Sequence, residues 1–454
     1  MIRRFFIPLA IALAACAPVD PTDPATRAVI SDSTLPPMKT FAARAPKTLP
    51  VSNRDLQRDF MDLSFQMESG RKLPVFTRFE GPVSLRVTGS PTATLSSDLK
   101  ALLARLKAEA GIDITLTSSA DANITIAAVS QKDLQRVLPQ AACFVAPNVT
   151  TLNDFRRNRR GARTNWALMQ TRETIGIFIP NDTTPQEVRD CLHEELAQAL
   201  GPLNDLYRLP DSVFNDDNVH TVLTGFDMLI LRATYAPELK SGMTPAEVSA
   251  RLPAIFNRIN PRGRGLPLTP TSDTPVGYVQ AVQKALGPGS SPPTRRAAAD
   301  RAIRISQREG WKDHRRGFAH FAKGRLLLPI DRDAAHREFL IADSFFARSR
   351  KTRLHRAYVA TQLSAHALSN GQLNRAARLA KGSIPEAREA QNAALLSTLQ
   401  LLAAEALEAQ GRFDEARRLR LDSLGWARYG FGSDWAVRSK MREISSLSPA
   451  TPTN

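Results

Sequence analysis

One stretch decides the fold of this chain, Cys191-Leu192-His193-Glu194-Glu195-Leu196-Ala197-Gln198-Ala199-Leu200-Gly201-Pro202-Leu203-Asn204-Asp205. Its apolar residues recur every three or four positions, which predicts a helix, and Gly201 permits the turn that ends it. Glu194 and Gln198 are four positions apart and therefore share one helical face. Asn204 follows the turn. The stretch thus predicts a site where three oxygen-bearing side chains converge beside Glu195.

This stretch resembles the zinc-binding helix of the metzincin peptidases, whose motif is His-Glu-x-x-His-x-x-Gly-x-x-His (or Asp). In that alignment the catalytic glutamate falls on Glu195 and the turning glycine on Gly201. The three metal-ligand positions fall on Glu194, Gln198 and Asn204, so all three histidines are replaced. The resemblance implies a metzincin-like domain with an altered site.

The sequence that follows is similar to metzincins as well. Phe214 stands where the methionine of the Met-turn is expected, and residues 223–235 stand where the closing helix is expected. The chain therefore resembles, over residues 75–250, a family of Gram-negative bacterial lipoproteins of unknown function. The signature of that family is Glu-Glu-x-x-Gln-x-x-Gly-x-x-Asn-Asp.

The altered site predicts different chemistry from that of a zinc peptidase. Amide and carboxylate oxygens, with Asp205 as a further candidate ligand, favour Ca²⁺, Mg²⁺ or Mn²⁺ over Zn²⁺. His193 does not restore a zinc site, because the residue four positions later is Ala197. Three alternatives stay open. The first is that the site is a buried hydrogen-bond network. The second is that it holds a weakly bound divalent cation. The third is that Glu195 acts as the base of a hydrolase.

Strand and helix patterns surround this helix and predict an α+β domain over residues 56–260. A helix capped by Ser96 or Ser97 is expected to run to Gly111, and Thr183 or Thr184 with Pro185 is expected to begin the helix that ends at Gly201. The order of strand, helix, strands and long helix implies a zincin-like fold. Strands are predicted at residues 83–87, 112–116, 124–126 and 175–179.

Residues 1–15 have the pattern of a signal peptide that resembles a bacterial lipoprotein signal. Arg3 and Arg4 precede an apolar run too short to span a bilayer. The resemblance implies cleavage before Cys16 and acylation of its thiol, and Ala17 implies the periplasmic face of the outer membrane. The alternative is an ordinary signal with a chance cysteine.

The proline-rich residues 16–55 are expected to form a tether. If Cys16 carries lipid, Cys143 and Cys191 are left as a pair in an oxidising compartment, where they form a disulfide or stay as two free thiols.

The net charge of +17 is unevenly distributed. From residue 295 onward there are 29 Lys and Arg against 16 Asp and Glu, a net charge of +13. This charge favours a protein or anionic envelope partner and a membrane contact through the lipid anchor, not nucleic acid. A solvated basic surface is the alternative. A second group of cations before the 175–179 strand supplies anion-binding candidates, unless it is a solvated loop: Arg156, Arg157, Arg159 and Arg160.

The C-terminal part predicts an all-α, helical-repeat domain. Residues 261–294 read as a linker with one short helix, residues 295–446 as helices that resemble tetratricopeptide units, and residues 447–454 as a tail. Turn patterns recur every 40 residues. The alternative is a plain helical bundle.

Together these patterns predict a cell-envelope lipoprotein that is a pseudoenzyme, with a degenerate metzincin-like domain and a helical protein-interaction domain. One alternative is a peptidase-like hydrolase that uses an atypical metal site around Glu195. Another is an adaptor protein in which the helical domain acts alone.

Overall fold

A computed structural model describes residues 35–42 and 50–448 of the chain. These residues form an N-terminal α/β region followed by an all-helical C-terminal region, which confirms the predicted order of the two fold classes. Within the described residues, no helix combines the length and the hydropathy that a membrane crossing requires.

The α/β region is built on one five-stranded mixed sheet. Its strands lie in the order β2-β1-β3-β5-β4, and β4 is antiparallel to β5 while the other pairs are parallel. Every residue of β5 is buried, as expected for a strand covered on both faces. The strands are β1 (Val83–Gly89), β2 (Ile114–Leu116), β3 (Ile124–Val129), β4 (Phe144–Pro147) and β5 (Ile175–Pro180).

Seven α-helices accompany the sheet. The predicted stop at Gly111 is confirmed, since that residue has a φ of 73° after a short π-helical turn. The predicted cap at Ser96 or Ser97 is wrong, because the helix begins at Leu95 and the Ser97 hydroxyl donates to the Thr94 carbonyl. The helices are α1 (Asn53–Phe65), α2 (Leu95–Arg105), α3 (Gln131–Val137), α4 (Leu152–Asn158), α5 (Pro185–Leu200), α6 (Gly225–Thr234) and α7 (Pro245–Ile259).

The helical region consists of nine further α-helices among the described residues. The three predicted turns, at Asp331, Gly371 and Gly411, each join the two helices of a closely packed pair, so the 40-residue interval is a real spacing of helices. The helices are α8 (Val276–Leu286), α9 (Pro292–Arg308), α10 (His314–Leu327), α11 (Arg332–Phe346), α12 (Arg353–Ser369), α13 (Leu373–Glu389), α14 (Ala393–Glu408), α15 (Phe413–Phe431) and α16 (Asp434–Ser445).

Two segments differ from the expected linkers. Helix α8 packs against α9, with Tyr278 fully buried, so it belongs to the helical region. Residues 35–42, expected to be part of the tether, lie along α15. Phe41 stacks on Trp426 with ring centroids 4.4 Å apart. An aromatic side chain and a matching apolar surface hold this segment in spite of its prolines.

The two regions pack against each other within one compact unit. The Gln186 side chain at the start of α5 donates to Asn392, and the Tyr429 hydroxyl donates to Asp98 at 2.8 Å. The N-terminal end of α5 therefore lies against the helical region.

Candidate functional site

Helix α5 carries the predicted site and is fixed at both ends. At its start, Thr184 and Glu187 form a capping box, and Pro185 occupies the first turn, as predicted. In its middle, Cys191 forms a disulfide with Cys143, next to β4, which confirms the predicted pair. The helix is thereby tied covalently to the edge of the sheet.

The C-terminal end of α5 is closed by Arg172. Its guanidinium donates to the carbonyl oxygens of Ala199 at 2.8 Å and of Gln198 and Gly201 at 2.5 Å. These carbonyls have no partner within the helix and carry the negative end of its dipole. Arg172 is 3 % exposed, and burial lowers its pKa to about 10. No pattern in the sequence pointed to this residue.

The three predicted ligand positions lie on α5 and in the turn that follows it. Glu194 and Gln198 lie on α5, and Gln198 is 7 % exposed. The Asn204 side-chain amide donates to the Asp62 carbonyl at 3.0 Å, so it joins the turn after α5 to α1. Residues 35–42 and 50–448 contain no group of three or more His, Cys, Asp or Glu side chains placed to hold a metal ion.

His193 also has a structural partner. Its Nδ1 accepts a hydrogen bond from the Leu223 backbone amide at 3.2 Å, just before α6. Burial, together with the charges of Arg189 and Arg105, holds the pKa of His193 well below its usual value. His193 is therefore neutral and positions the chain that leads into α6.

Five carboxyl side chains interact with one another around the C-terminal half of α5. We call them the carboxyl cluster: Glu68, Glu194, Glu195, Asp205 and Asp216. Within the described part of the chain, none of the five forms an ion pair with Lys, Arg or His.

Burial and mutual repulsion change the acidity of the carboxyl cluster. Burial, with the charges of Glu68 and Asp216, raises the pKa of Glu194 to about 8. Burial raises the pKa of Glu195 and of Asp205 well above their usual values, and neighbouring carboxylates add to both shifts. Burial also raises the pKa of Asp216, to about 6. Glu194, whose pKa is about 8, therefore keeps its proton at neutral pH.

A large cavity lies beside the cluster, between the α/β region and the helical region, and we call it the central cavity. Its volume is about 1200 Å³, and Glu68 and Asp216 line it. Tyr207, Phe318 and Tyr358 supply aromatic walls. The lining also contains three cations, Lys284, Arg325 and Lys440. Amide side chains line it as well: Gln140, Gln186, Asn218, Gln283, Gln362 and Asn392.

Phe214, at the predicted Met-turn position, is fully buried. Its carbonyl accepts from the Leu206 amide at 2.8 Å, which ties this turn to the segment after Asn204. Asp227, in the first turn of α6, accepts from the Ser212 hydroxyl at 2.5 Å and from the Val213 amide at 3.1 Å. This turn and α6 thus support the part of the chain that follows Asn204.

A buried hydrogen bond between a histidine and a carboxyl group joins the two regions, and the sequence did not indicate it. His355 Nε2, on α12, lies 2.9 Å from Asp217 Oδ2, and each side chain is 1 % exposed. The Asn215 amide donates to the same carboxylate at 2.8 Å. Burial alone would raise the pKa of Asp217, but the interactions with His355 and His314 outweigh it and hold that pKa below its usual value. These partners are 138 residues apart in the chain, so no local pattern indicates them.

The predicted anion-binding arginines lie at the end of α4 and directly after it. Arg159 donates to the Val137 carbonyl, and Arg156 donates to Asn153 at 3.3 Å. Arg157 and Arg160 are exposed. Arg156 lines a cavity of about 480 Å³ near the ends of β1 and β3. Cys16, the predicted lipidation site, lies outside the described residues.

The α/β region is similar to a family of proteins without an assigned activity. Residues 53–254 match the family model described as Protein of unknown function (DUF2927). No curated protein matches the chain. The matched range begins at the first residue of α1 and ends within α7, so it contains the whole sheet and the carboxyl cluster.

Proposed function

We propose that this protein is a lipid-anchored binding protein of the bacterial cell envelope that holds a peptide segment of a partner and does not cleave it. Its α/β region is a degenerate metzincin-like domain, and its helical region is a tetratricopeptide-like interaction domain. The signal pattern of residues 1–15 and Cys16 support the anchor, and the 40-residue spacing of helix pairs supports the repeat.

The central cavity carries this proposal. Its volume of about 1200 Å³ is above the range of roughly 300–1,000 Å³ that small-ligand pockets occupy, which suits a peptide segment. A peptide backbone presents donors and acceptors in alternation, and the amide side chains of the lining offer both. Glu68 and Asp216 offer carboxylates to an amino group of the peptide.

The altered ligand positions support binding without cleavage. A zinc peptidase needs imidazole ligands to hold the metal and lower the pKa of its water. This chain has no imidazole at Glu194, Gln198 or Asn204, and the Asn204 amide is bonded to a backbone carbonyl. Peptide hydrolysis therefore lacks its nucleophile.

A hydrolase is the second candidate, and one observation favours it. Glu195 Oε2 and Asp205 Oδ1 are buried without a hydrogen-bond partner. Buried carboxyl groups of raised pKa serve as general acids in many enzymes. In such a reaction, the substrate would have to supply the hydrogen-bond partner that Glu195 Oε2 lacks.

The test measures binding and cleavage in the same samples. Hexapeptides that carry Lys, Glu or Ser at one position are titrated against the full chain by fluorescence polarisation, with and without Zn²⁺, Ca²⁺ or Mn²⁺. We expect Lys peptides to bind best and the Glu68→Gln/Asp216→Asn variant to weaken them about tenfold. The control is Asp121→Asn/Asp414→Asn, two exposed carboxylates outside the cavity.

Two results would contradict the proposal. One is the absence of saturable binding by any hexapeptide. The other is cleavage, detected by mass spectrometry, that is lost in Glu195→Gln, and this result would establish the hydrolase instead.

A further inference from the structure

A second pocket, separate from the central cavity, lies where α1 meets the turns of the helical region. Its volume is about 420 Å³, and we call it the basic pocket. Its walls come from α1, from residues 208–211, from residues 269–271, and from the chain just before α10 and α12. Both regions of the protein contribute to it.

The acidic residues in these walls are mostly committed to internal partners. Asp55 accepts from the backbone amide of Thr269 at 2.9 Å and from its hydroxyl at 2.7 Å. Asp59 pairs with the buried Arg208 at 2.8 Å, and Asp313 pairs with Arg315 at 2.7 Å. These carboxylates therefore do not neutralise other cations in the pocket.

Three cations of the walls have no such partner. Lys312, Arg348 and Lys351 form no ion pair with any residue that the structure describes. The Arg348 guanidinium lies 4.5 Å from the centre of the Phe345 ring and donates to the Lys312 carbonyl at 3.2 Å, so it is held at the pocket. The remaining carboxyl, Asp211, offsets at most one of the three charges.

The inner surface of the pocket is apolar. Leu209, Phe226 and Phe345 are buried, and Pro210 and Pro270 lie beside them in the lining. The segment that contains Pro270 is fastened across one side of the pocket, because Asp55 and Arg58 both bond to Thr269. A ligand therefore meets cations at the rim and apolar side chains inside.

We propose that the basic pocket binds an amphiphilic anion, that is, a phosphate or carboxylate group on an apolar body. The anionic group meets Lys312, Arg348 and Lys351, and the apolar body packs on Phe345 and Leu209. Cations without an ion-pair partner attract an anion. Binding is also favoured when a hydrocarbon body covers apolar side chains that would otherwise contact water. This site is independent of the peptide binding proposed for the central cavity.

The experiment titrates the full chain with dodecyl phosphate below its critical micelle concentration, and with dodecanol and inorganic phosphate, by calorimetry. We expect one dodecyl phosphate per chain, and binding at least about tenfold weaker for dodecanol and inorganic phosphate. The variant Lys312→Gln/Arg348→Gln/Lys351→Gln should weaken dodecyl phosphate binding by about tenfold or more.

The matched control removes the same charge elsewhere. Arg304→Gln/Arg417→Gln/Arg418→Gln changes three exposed arginines of α9 and α15 that do not line the pocket. Its binding should stay within about twofold of the unmodified chain. Thermal unfolding of both variants shows whether either has lost its fold. Because Lys312 and Arg348 are exposed, we expect the pocket variant to remain folded, as we do for the control variant.

Sedimentation with phosphatidylglycerol vesicles identifies the source of the anion. Vesicle binding that the pocket variant loses and the control keeps indicates a membrane lipid. Vesicle binding equal in both, with dodecyl phosphate binding still lost in the pocket variant, indicates a free amphiphile. The proposal is overturned if dodecyl phosphate does not saturate, if both triple variants weaken it equally, or if inorganic phosphate binds as tightly.

Discussion

Glu195 occupies the position of the metzincin catalytic base, but its surroundings are those of a neutral side chain. It is 5 % exposed, and burial, with the neighbouring carboxyl groups of Glu194 and Glu68, raises its pKa. In the unfolded chain it loses its proton above an ordinary pKa of 4.5, whereas burial keeps the proton in the folded protein. The folded state therefore binds more protons, and its stability falls as the pH rises above that value.

We predict that Glu195→Gln stabilises the protein at pH 8 and has little effect at pH 4. Glutamine is neutral at both values, so the variant avoids the cost of a buried charge, which we take as about 1–2 kcal/mol. Urea unfolding at pH 4, 6 and 8 measures the difference, with Asp121→Asn as an exposed control. An equal difference at pH 4 and pH 8 would contradict this prediction.

The sequence predicts the position of Glu195 on α5 but not the surroundings that make it neutral. The motif contains Glu194, Gln198 and Asn204, whereas Glu68 and Arg172 are distant in the chain. Whether Asn204 faces a metal or a backbone carbonyl depends on where α1 packs, and the local pattern does not contain that information. The convergence of carboxyl groups is therefore a tertiary property.

At the scale of elements, the disulfide is the strongest local restraint on α5. Cys143 and Cys191 are separated by 48 positions, so their bond closes a large loop that includes β4 and β5. In the chain-entropy model such a loop is worth about 4 kcal/mol.

We predict that Cys143→Ser/Cys191→Ser lowers the free energy of unfolding by about 2–5 kcal/mol. Denaturant unfolding of this variant measures the loss, and Cys143→Ser alone tests whether the free Cys191 thiol adds a further effect. Since Cys191 lies on α5 about one turn before Glu194, the double variant should also shift this part of the helix. Unchanged stability would show that packing alone holds the helix on the sheet.

Several elements were predictable and others were not. Strong sequence patterns predicted four elements: β1, β3, β5 and α5. The patterns are an alternation of apolar and polar residues, a continuous apolar run, or apolar residues every four positions. The structure has these elements near the expected bounds. The antiparallel strand β4 has only four residues, too few for a clear pattern. Helix α1 follows directly on a proline-rich segment, so composition assigned its first residues to a tether.

At the scale of the whole molecule, the two regions share more contacts than the linker prediction implies. Three hydrogen bonds join the α/β region to the helical region: Gln186 with Asn392, Asp217 with His355, and the Tyr207 carbonyl with His314. Long-range polar contacts of this kind leave no trace in composition. Independent folding of the C-terminal domain remains a prediction.

Lipid anchoring is a prediction for the whole chain, because Cys16 lies outside the described residues. We predict that Cys16→Ser moves the protein from the membrane fraction to the supernatant and removes the acyl mass, since several acyl chains are needed for firm anchoring. Cell fractionation and intact-mass spectrometry check this. A variant that stays in the membrane fraction with unchanged mass would contradict lipidation at this residue.

A ligand in the central cavity would make the unfolding of the two regions more cooperative. Its walls come from both regions, with Asp216 on one side and Tyr358 on the other. A ligand that fills it binds only while the two regions remain docked, so its binding free energy adds to their association. In calorimetry, such a ligand would fuse any separate melting of the two regions into a single transition whose midpoint climbs with ligand concentration.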